Sequence, residues 1–306
     1  MKNYLKISLV IPYHNEGIEV IRTVKAVLRD NYLPKEIILV DSTSSDNTFN
    51  IVNKYLKSIK LKKIKIKNIS KGSTLPSTSK NLGIKFSKYN LIAFLDCGVK
   101  MKINWLINQY LFLKKKKLDC VFGKCLFKPI DNLNISVILN TYGFKSKHSV
   151  LPSSLIKKEV FKQFGLFKSK RAGYDWHWIN YVKKSKIKSA TSDKVTLEYR
   201  NFVKNIMYLP KKIFLYSYNS CEFQPYFKQL IYLSAPIYFF LTTKYILVNF
   251  LLYFSLKFIQ INRKSKINLK DLNIKILIYI PIIAMIIDIS RSVGFYYNKL
   301  KKLWIF

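Results

Sequence analysis

The chain has 306 residues, 49% of them hydrophobic, which is ample for a core and excludes a disordered polymer. Its formal net charge of +38 raises the question of nucleic acid. The cations are mostly Lys scattered through every segment, so no nucleic-acid partner is expected, and the basic surface is read as favouring anionic lipid and a diphosphate-bearing substrate.

Met1-Lys2-Asn3-Tyr4 runs straight into a strand, so no cleavable signal peptide is expected. Ile7-Ser8-Leu9-Val10-Ile11 predicts that strand, ended by Pro12. From Glu16 to Arg29, Val20, Ile21, Val24, Val27 and Leu28 recur at helical spacing. Glu36 to Val40 is a second buried strand, closing on the polar turn Asp41-Ser42-Thr43-Ser44-Ser45-Asp46. Asp46 is placed to N-cap a helix carrying Phe49, Val52, Tyr55 and Leu56. Lys63 to Ile69 predicts an edge strand, with Ile64 and Ile66 alternating with lysines. A helix over Ser77 to Ser87 follows, then the apolar strand Leu91 to Leu95, ending on Asp96.

Nearly continuous apolar strands alternating with helices predict an α/β domain with a mostly parallel, Rossmann-like sheet. Tyr13, Asn15 and Glu16, then Asp41, then Asp96, all fall at carboxyl ends of strands, the edge where open α/β sheets bind ligands. Neither G-x-G-x-x-G nor G-x-x-x-x-G-K-[ST] occurs, which argues against dinucleotide and P-loop chemistry. The four cysteines, Cys97, Cys120, Cys125 and Cys221, show no metal-type clustering and are read as reduced thiols.

Ile11-Pro12-Tyr13-His14-Asn15-Glu16, the run Val40 to Thr48, Lys80-Asn81-Leu82-Gly83 and Phe94-Leu95-Asp96 together resemble the family 2 glycosyltransferases of GT-A fold. The resemblance covers roughly residues 5 to 200. It implies a nucleoside-diphosphate-sugar donor, transfer with inversion, and a glycan or lipid-linked acceptor. It also implies donor-binding roles for Pro12, Tyr13, Asn15, Glu16, Asp41, Lys80 and Asp96, with Asp41 reading the base and Tyr13 offering an aromatic surface. Lys80 stands where the family often has Arg, a point charge in place of a bidentate fork.

The family's metal motif is Asp-x-Asp, whereas this chain reads Asp96-Cys97-Gly98. Asp96 is thus the one metal ligand the resemblance implies. Mg²⁺ takes one or two carboxylates plus phosphate oxygens, so a single Asp admits Mg²⁺ or Mn²⁺ while holding it weakly. Arg171 to Trp178 resembles the family's Gly-Glu-Asp stretch, with Tyr174 in the place of Glu and Asp175 kept. That implies Asp175 as general base. Trp176 and Trp178 either flank the acceptor or anchor the helix in the core. Upstream, a helix is expected to begin near Ser153. The altered motifs also leave open an alternative, a catalytically impaired nucleotide-sugar-binding or scaffold subunit of a glycan-assembly complex.

The resulting organisation is a GT-A domain over residues 1–204, with a nucleotide-binding half about 1–100 and an acceptor half about 101–204. A hydrophobic helical region follows at 205–306. Leu230 to Phe258, broken by Lys244, exceeds the length needed to cross a bilayer. Ile274 to Ile287 is a second run, extendable through Tyr297 if Asp288 and Arg291 pair or face other helices. Two readings follow, a membrane hairpin or interfacial and re-entrant helices, against a soluble helical bundle. The basic segment from Lys257 to Lys270 favours the cytosol, in conflict with a hairpin whose catalytic domain is cytosolic. The expected location is a membrane, with the catalytic domain on the cytoplasmic face.

Overall fold

The computed structural model describes residues 2–70, 74–143, 149–200, 205–223, 243–265 and 272–303, with single positions at 227, 230, 234 and 238. The chain divides into two compact units, residues 1–125 with 147–198, and residues 126–146 with 199–306.

The first unit opens with β1 (Asn3–Tyr13), α1 (Ile18–Arg29), β2 (Tyr32–Asp41), α2 (Thr48–Ser58), β3 (Lys65–Ile69), α3 (Pro76–Phe86) and β4 (Leu91–Phe94). It continues through β5 (Lys100–Met101), α4 (Trp105–Lys115), β6 (Cys120–Lys128), β7 (Ser149–Lys157), α6 (Lys158–Phe164), α7 (Tyr174–Lys184), β8 (Ser189–Thr191) and β9 (Leu197–Arg200); α5 (Asn132–Asn140) lies between β6 and β7. The strand order is β3-β2-β1-β4-β7-β6-β9-β5, with β8 also on β6. The β1–β2, β1–β4, β2–β3 and β6–β8 pairs are parallel, as the alternating strand–helix pattern predicts.

Two local expectations change. Pro12 does not end β1; it pairs in register with Val40, and the strand runs on to Tyr13. Leu95 N–H donates to Val10 O while Ser42 N–H donates to Tyr13 O, so even-numbered positions here face β4 and odd ones face β2. Pro12 therefore turns its missing N–H toward β4 beyond that strand's end, where no ladder bond is lost. Second, Ser153 begins no helix. It lies inside β7, a strand paired on both sides, and the helix starts at Lys158. The polar Ser153 and Ser154 are fully buried because each hydroxyl is bonded: Ser153 Oγ donates to Pro152 O at 2.5 Å and Gly123 N–H donates to Ser154 Oγ at 3.0 Å, while Gln109 Nε2 ties the Ser153 carbonyl at 2.7 Å.

The core is laid by Val10, Ile92, Phe94, Phe122 and Ile156 from the sheet against Ile84 of α3 and Trp178 and Val182 of α7. Gly83 lets α3 lie directly on β1, since a Cβ there would fall 2.2 Å from Val10 Cγ1. That contact fixes α3, and with it Lys80, against the sheet.

The second unit holds α5, α8 (Leu209–Ser220), α9 (Ile246–Ser265) and α10 (Ile274–Leu303). Residues 126–146, counted by sequence within the GT-A domain, join this unit because α5 is apolar and packs on the tail helices. Val137 meets Leu209, Ile213, Ile283 and Ile287, while Leu139 meets Phe258, Ile261, Ile276 and Ile280. Gly294 admits α8, since a Cβ there would lie 2.5 Å from Phe214 O. Among the described residues α10 is the helix long and apolar enough to cross a membrane. Within the run from Leu230 to Phe258, residues 231–233, 235–237 and 239–242 lie outside the described residues.

The two ionisable groups in the middle of α10, Asp288 and Arg291, turn inward, while Lys275, Lys299, Lys301 and Lys302 near its ends are exposed. Asp288 is ion-paired with Lys257 of α9, accepts a hydrogen bond from Tyr253 Oη at 3.1 Å, and lies 3.8 Å from Arg291. Ile278, Ile282, Ile289, Val293, Tyr297 and Leu300 form the exposed stripe. At about 1.5 Å per residue that stripe advances roughly 33 Å, close to the thickness of a bilayer core.

Candidate active site

Three loops meet at the carboxyl ends of β1, β2 and β4. The β1 and β2 loops are clasped together by side chains. Asn15 Nδ2 donates to Ser45 Oγ at 3.1 Å, and Ser45 N–H returns a bond to Asn15 Oδ1 at 2.8 Å. Asn15 N–H bonds Ser44 Oγ at 2.9 Å, Gly17 N–H bonds Thr48 Oγ1 at 2.8 Å, and His14 Nδ1 bonds Ser42 O at 2.8 Å. Asn15 takes φ 53°, a left-handed conformation that Asn tolerates better than most residues.

Asp41 ends β2 nearly buried, with its carboxylate turned into its own loop. Ser44 N–H reaches both oxygens at 3.2 Å, and Ser44 Oγ donates to Oδ1 at 2.6 Å. A carboxylate has about four lone-pair sites, so this turn fixes its direction without exhausting it. Tyr13, in register beside Asp41, has a buried ring, and its hydroxyl donates to Asn68 Oδ1 at 2.8 Å. Burial, then the Asp41 charge, pushes its phenol above the ordinary range. It presents no open aromatic surface. Pro12 is buried beneath the loop and Glu16 is exposed on it. Asp46 accepts Thr48 N–H at 3.0 Å, one residue ahead of the cap position, which Asn47 occupies; the Thr48 hydroxyl first, and then this N–H, pull its carboxyl below the usual range.

Below these loops α3, the end of β4 and α7 bring together four groups from three separate stretches of the sequence. Lys80 Nζ lies 2.8 Å from Asp96 Oδ1 and donates to Tyr174 Oη at 3.1 Å. Lys80 is 3% exposed. Burial alone would pull its ammonium down; Asp96, Tyr174 and Asp175 reverse this and hold it above its ordinary value. Burial pushes the Tyr174 phenol up to about 12, so it is neutral at physiological pH. Asp175 opens α7. Burial raises its carboxyl above the usual range, against the pull of Lys80 and the N–H groups at the helix start. Tyr174, which the sequence offers only as a replacement for Glu, is thus a working member of the cluster.

Trp176 is exposed, whereas Trp178 is core: it stacks on Phe161 at 4.9 Å and donates its indole N–H to Gly165 O. Its rim, with His177, Tyr181 and Lys168, also borders a cavity of about 190 Å³ beside α7.

The residues do not fit a resident divalent metal. Asp96 already carries the Lys80 ammonium on Oδ1. Gly98, where a second carboxylate would stand, takes φ +75°, a conformation that side-chain-bearing residues rarely adopt. Among the described residues no group of three or more His, Cys, Asp or Glu is placed to hold an ion.

Residues 8–175 match the family model described as glycosyl transferase family 2. Poly(ribitol-phosphate) beta-N-acetylglucosaminyltransferase TarP of Staphylococcus aureus is 27% identical over 157 residues, 50% of this chain and 41% of that protein. UDP-Glc:alpha-D-GlcNAc-diphosphoundecaprenol beta-1,3-glucosyltransferase WfaP of Escherichia coli is 31% identical over 112 residues, 37% of this chain and 43% of its own length. The chain thus spans under half the length of these two relatives. Among solved structures, the mannosyltransferase PcManGT of Pyrobaculum calidifontis, in complex with GDP-Man and Mn²⁺, matches with TM-score 0.58 at 13% identity. The match covers 97% of this chain and 88% of that one, a likeness of fold.

Proposed function

Because the chain belongs to glycosyl transferase family 2, we propose that it moves a sugar, with inversion, from a nucleoside-diphosphate sugar to a lipid-linked or polysaccharide acceptor. The observation that carries this reading is Asp175, a carboxylate held above its usual range by burial beside the Lys80–Asp96 pair. A base whose pKa is raised toward the working pH takes a proton more effectively than an ordinary surface carboxylate.

In the step, the acceptor hydroxyl oxygen attacks the anomeric carbon and its proton passes to Asp175. The bond from that carbon to the diphosphate breaks on the opposite face, and the nucleoside diphosphate leaves with the electron pair. Asp41 at the end of β2 accepts from the base of the donor. Lys80 lies where the departing negative charge develops. The acceptor class is supported by the names of the relatives, one acting on poly(ribitol phosphate) and one on a diphosphoundecaprenol-linked sugar.

The same reading puts the tail in a membrane, supported by the apolar outer stripe of α10 and the inward pairing of Asp288. The catalytic domain's Cys97, Cys120 and Cys125, none of them in a disulfide, support a cytoplasmic location. The test is to incubate the purified full chain with UDP-, GDP- and dTDP-sugars. A donor raises the melting temperature by mass action and is turned over or transferred. Absence of binding and turnover with every donor would sink the proposal.

A further inference from the structure

We propose that the Lys80 ammonium, fixed between Asp96 and Tyr174, is a built-in cation that takes up the diphosphate charge of the donor and makes a divalent metal dispensable for donor binding. The inference rests on the nucleotide-sugar reading above and goes one step past it.

Four observations converge. First, an ion bound at Asp96 Oδ1 would share that oxygen with an ammonium 2.8 Å away, so a dication faces like-charge repulsion or must displace Lys80. Lys80 is not easily displaced. It is held on α3, which Gly83 seats directly on β1, and its stem is buried. Second, the backbone after Asp96 is shaped for glycine. Gly98 takes φ +75°, and its N–H is tied to Thr23 Oγ1 at 3.2 Å, so the turn does not present another carboxylate toward Asp96.

Third, an ammonium has three N–H donors, and Asp96 and Tyr174 account for two of them. The Lys80 side chain is itself 4% exposed, so a phosphate oxygen would reach the third donor past Asp96, whose side chain is 32% exposed. Fourth, Tyr174 meets Lys80 with a neutral hydroxyl, its phenol pushed up to about 12. A carboxylate there would cancel the positive charge, whereas a phenol orients the ammonium and leaves its charge for a ligand. Tyr174 is a positioning residue in this scheme and Lys80 the binding group.

The experiment uses the purified full chain and measures binding of UDP, GDP and dTDP by calorimetry and thermal shift. Each titration is run in EDTA, in Mg²⁺ and in Mn²⁺, with the matching nucleosides as controls. The expected result is a nucleoside diphosphate that binds in EDTA within about threefold of its affinity in Mn²⁺. Lys80→Met should weaken that diphosphate by roughly ten- to a hundredfold, the loss of one charge-assisted hydrogen bond, while scarcely changing the nucleoside. Lys80→Arg should recover most of the loss, and Mn²⁺ should not rescue Lys80→Met.

Binding that requires Mn²⁺ or Mg²⁺, or a Lys80→Met protein with unchanged diphosphate affinity, overturns the proposal and leaves the donor reading standing. A chain that binds no nucleoside diphosphate under any condition overturns both. If Lys80→Met melts before titration, the comparison of EDTA with Mn²⁺ on the unaltered chain decides alone.

Discussion

Asn15 and Ser45, thirty residues apart in sequence, hydrogen-bond each other in both directions across the mouth of the β1 and β2 loops. The Asn15 carboxamide is engaged in this clasp, so its influence on a donor runs through loop position. Asn15→Ala removes both bonds and should weaken nucleoside-diphosphate binding by about five- to thirtyfold, from roughly 1–2 kcal/mol of lost loop order. Ser45→Ala keeps the backbone half of the clasp and should cost less. Calorimetry with both variants checks the ranking; equal effects would mean that Asn15 touches the donor itself.

Asp175 should separate chemistry from binding. Asp175→Asn keeps the shape and removes the base, so transfer should fall by roughly 10²- to 10⁴-fold with donor affinity little changed. The sign on stability is opposite. Burial raises the Asp175 pKa, so above the ordinary carboxylate pKa its ionised form subtracts stability from the fold, and the Asn variant should melt at the same temperature or higher. In the unaltered enzyme the rate should climb as pH rises through the elevated pKa of Asp175, and that limb should vanish in the variant. Unchanged glycan output in cells carrying Asp175→Asn would point to the scaffold role.

How much of this was legible beforehand follows from the range of each interaction. β1, β2 and β4 are readable because buried parallel strands are continuous apolar runs, and Asp41 and Asp96 are readable because they sit at strand ends, whereas Asp175 is reached only through the resemblance of Arg171 to Trp178. β7 is not readable, because Pro152-Ser153-Ser154 looks like a loop until Gln109 and Gly123 are seen to bond it. The core place of Trp178 depends on Phe161 and Gly165, which no helical spacing reveals. Lys80 with Tyr174 joins residues 94 positions apart, and nothing local announces it.

Glu36 gives the sheet a specific acid sensitivity. It is 1% exposed, accepts Ser8 Oγ at 2.5 Å and Lys88 N–H at 2.8 Å, and pairs with Lys67 at 2.7 Å, joining β1, β2 and β3. Burial would raise its carboxyl, but these partners win and hold it below 4.5. A depressed carboxylate contributes stability above its unfolded pKa and loses it as pH falls through the folded value. The contribution should therefore be complete at neutral pH and be lost only in acid, as pH falls below the ordinary carboxylate range. Glu36→Gln should lower the melting temperature at pH 7 and flatten its fall in acid, as read by circular dichroism across pH.

The tail makes the sharpest distinction between a membrane helix and a buried soluble one. If lipid covers the outer stripe of α10, Ile289→Lys and Val293→Lys, both exposed, place a charge in hydrocarbon at roughly 2.5–3.5 kcal/mol each near mid-span. Together they should shift the protein from an alkali-resistant membrane fraction toward the soluble one. In a soluble bundle the same two changes face water and should alter neither fractionation nor melting. Asp288→Leu probes the inner face instead, leaving Lys257 and Arg291 without their shared carboxylate. Removing one partner of a buried pair costs about 3–5 kcal/mol, so yield should collapse. Lys257→Met added to Asp288→Leu should recover much of it, because the uncompensated charge between α9 and α10 goes with the lysine.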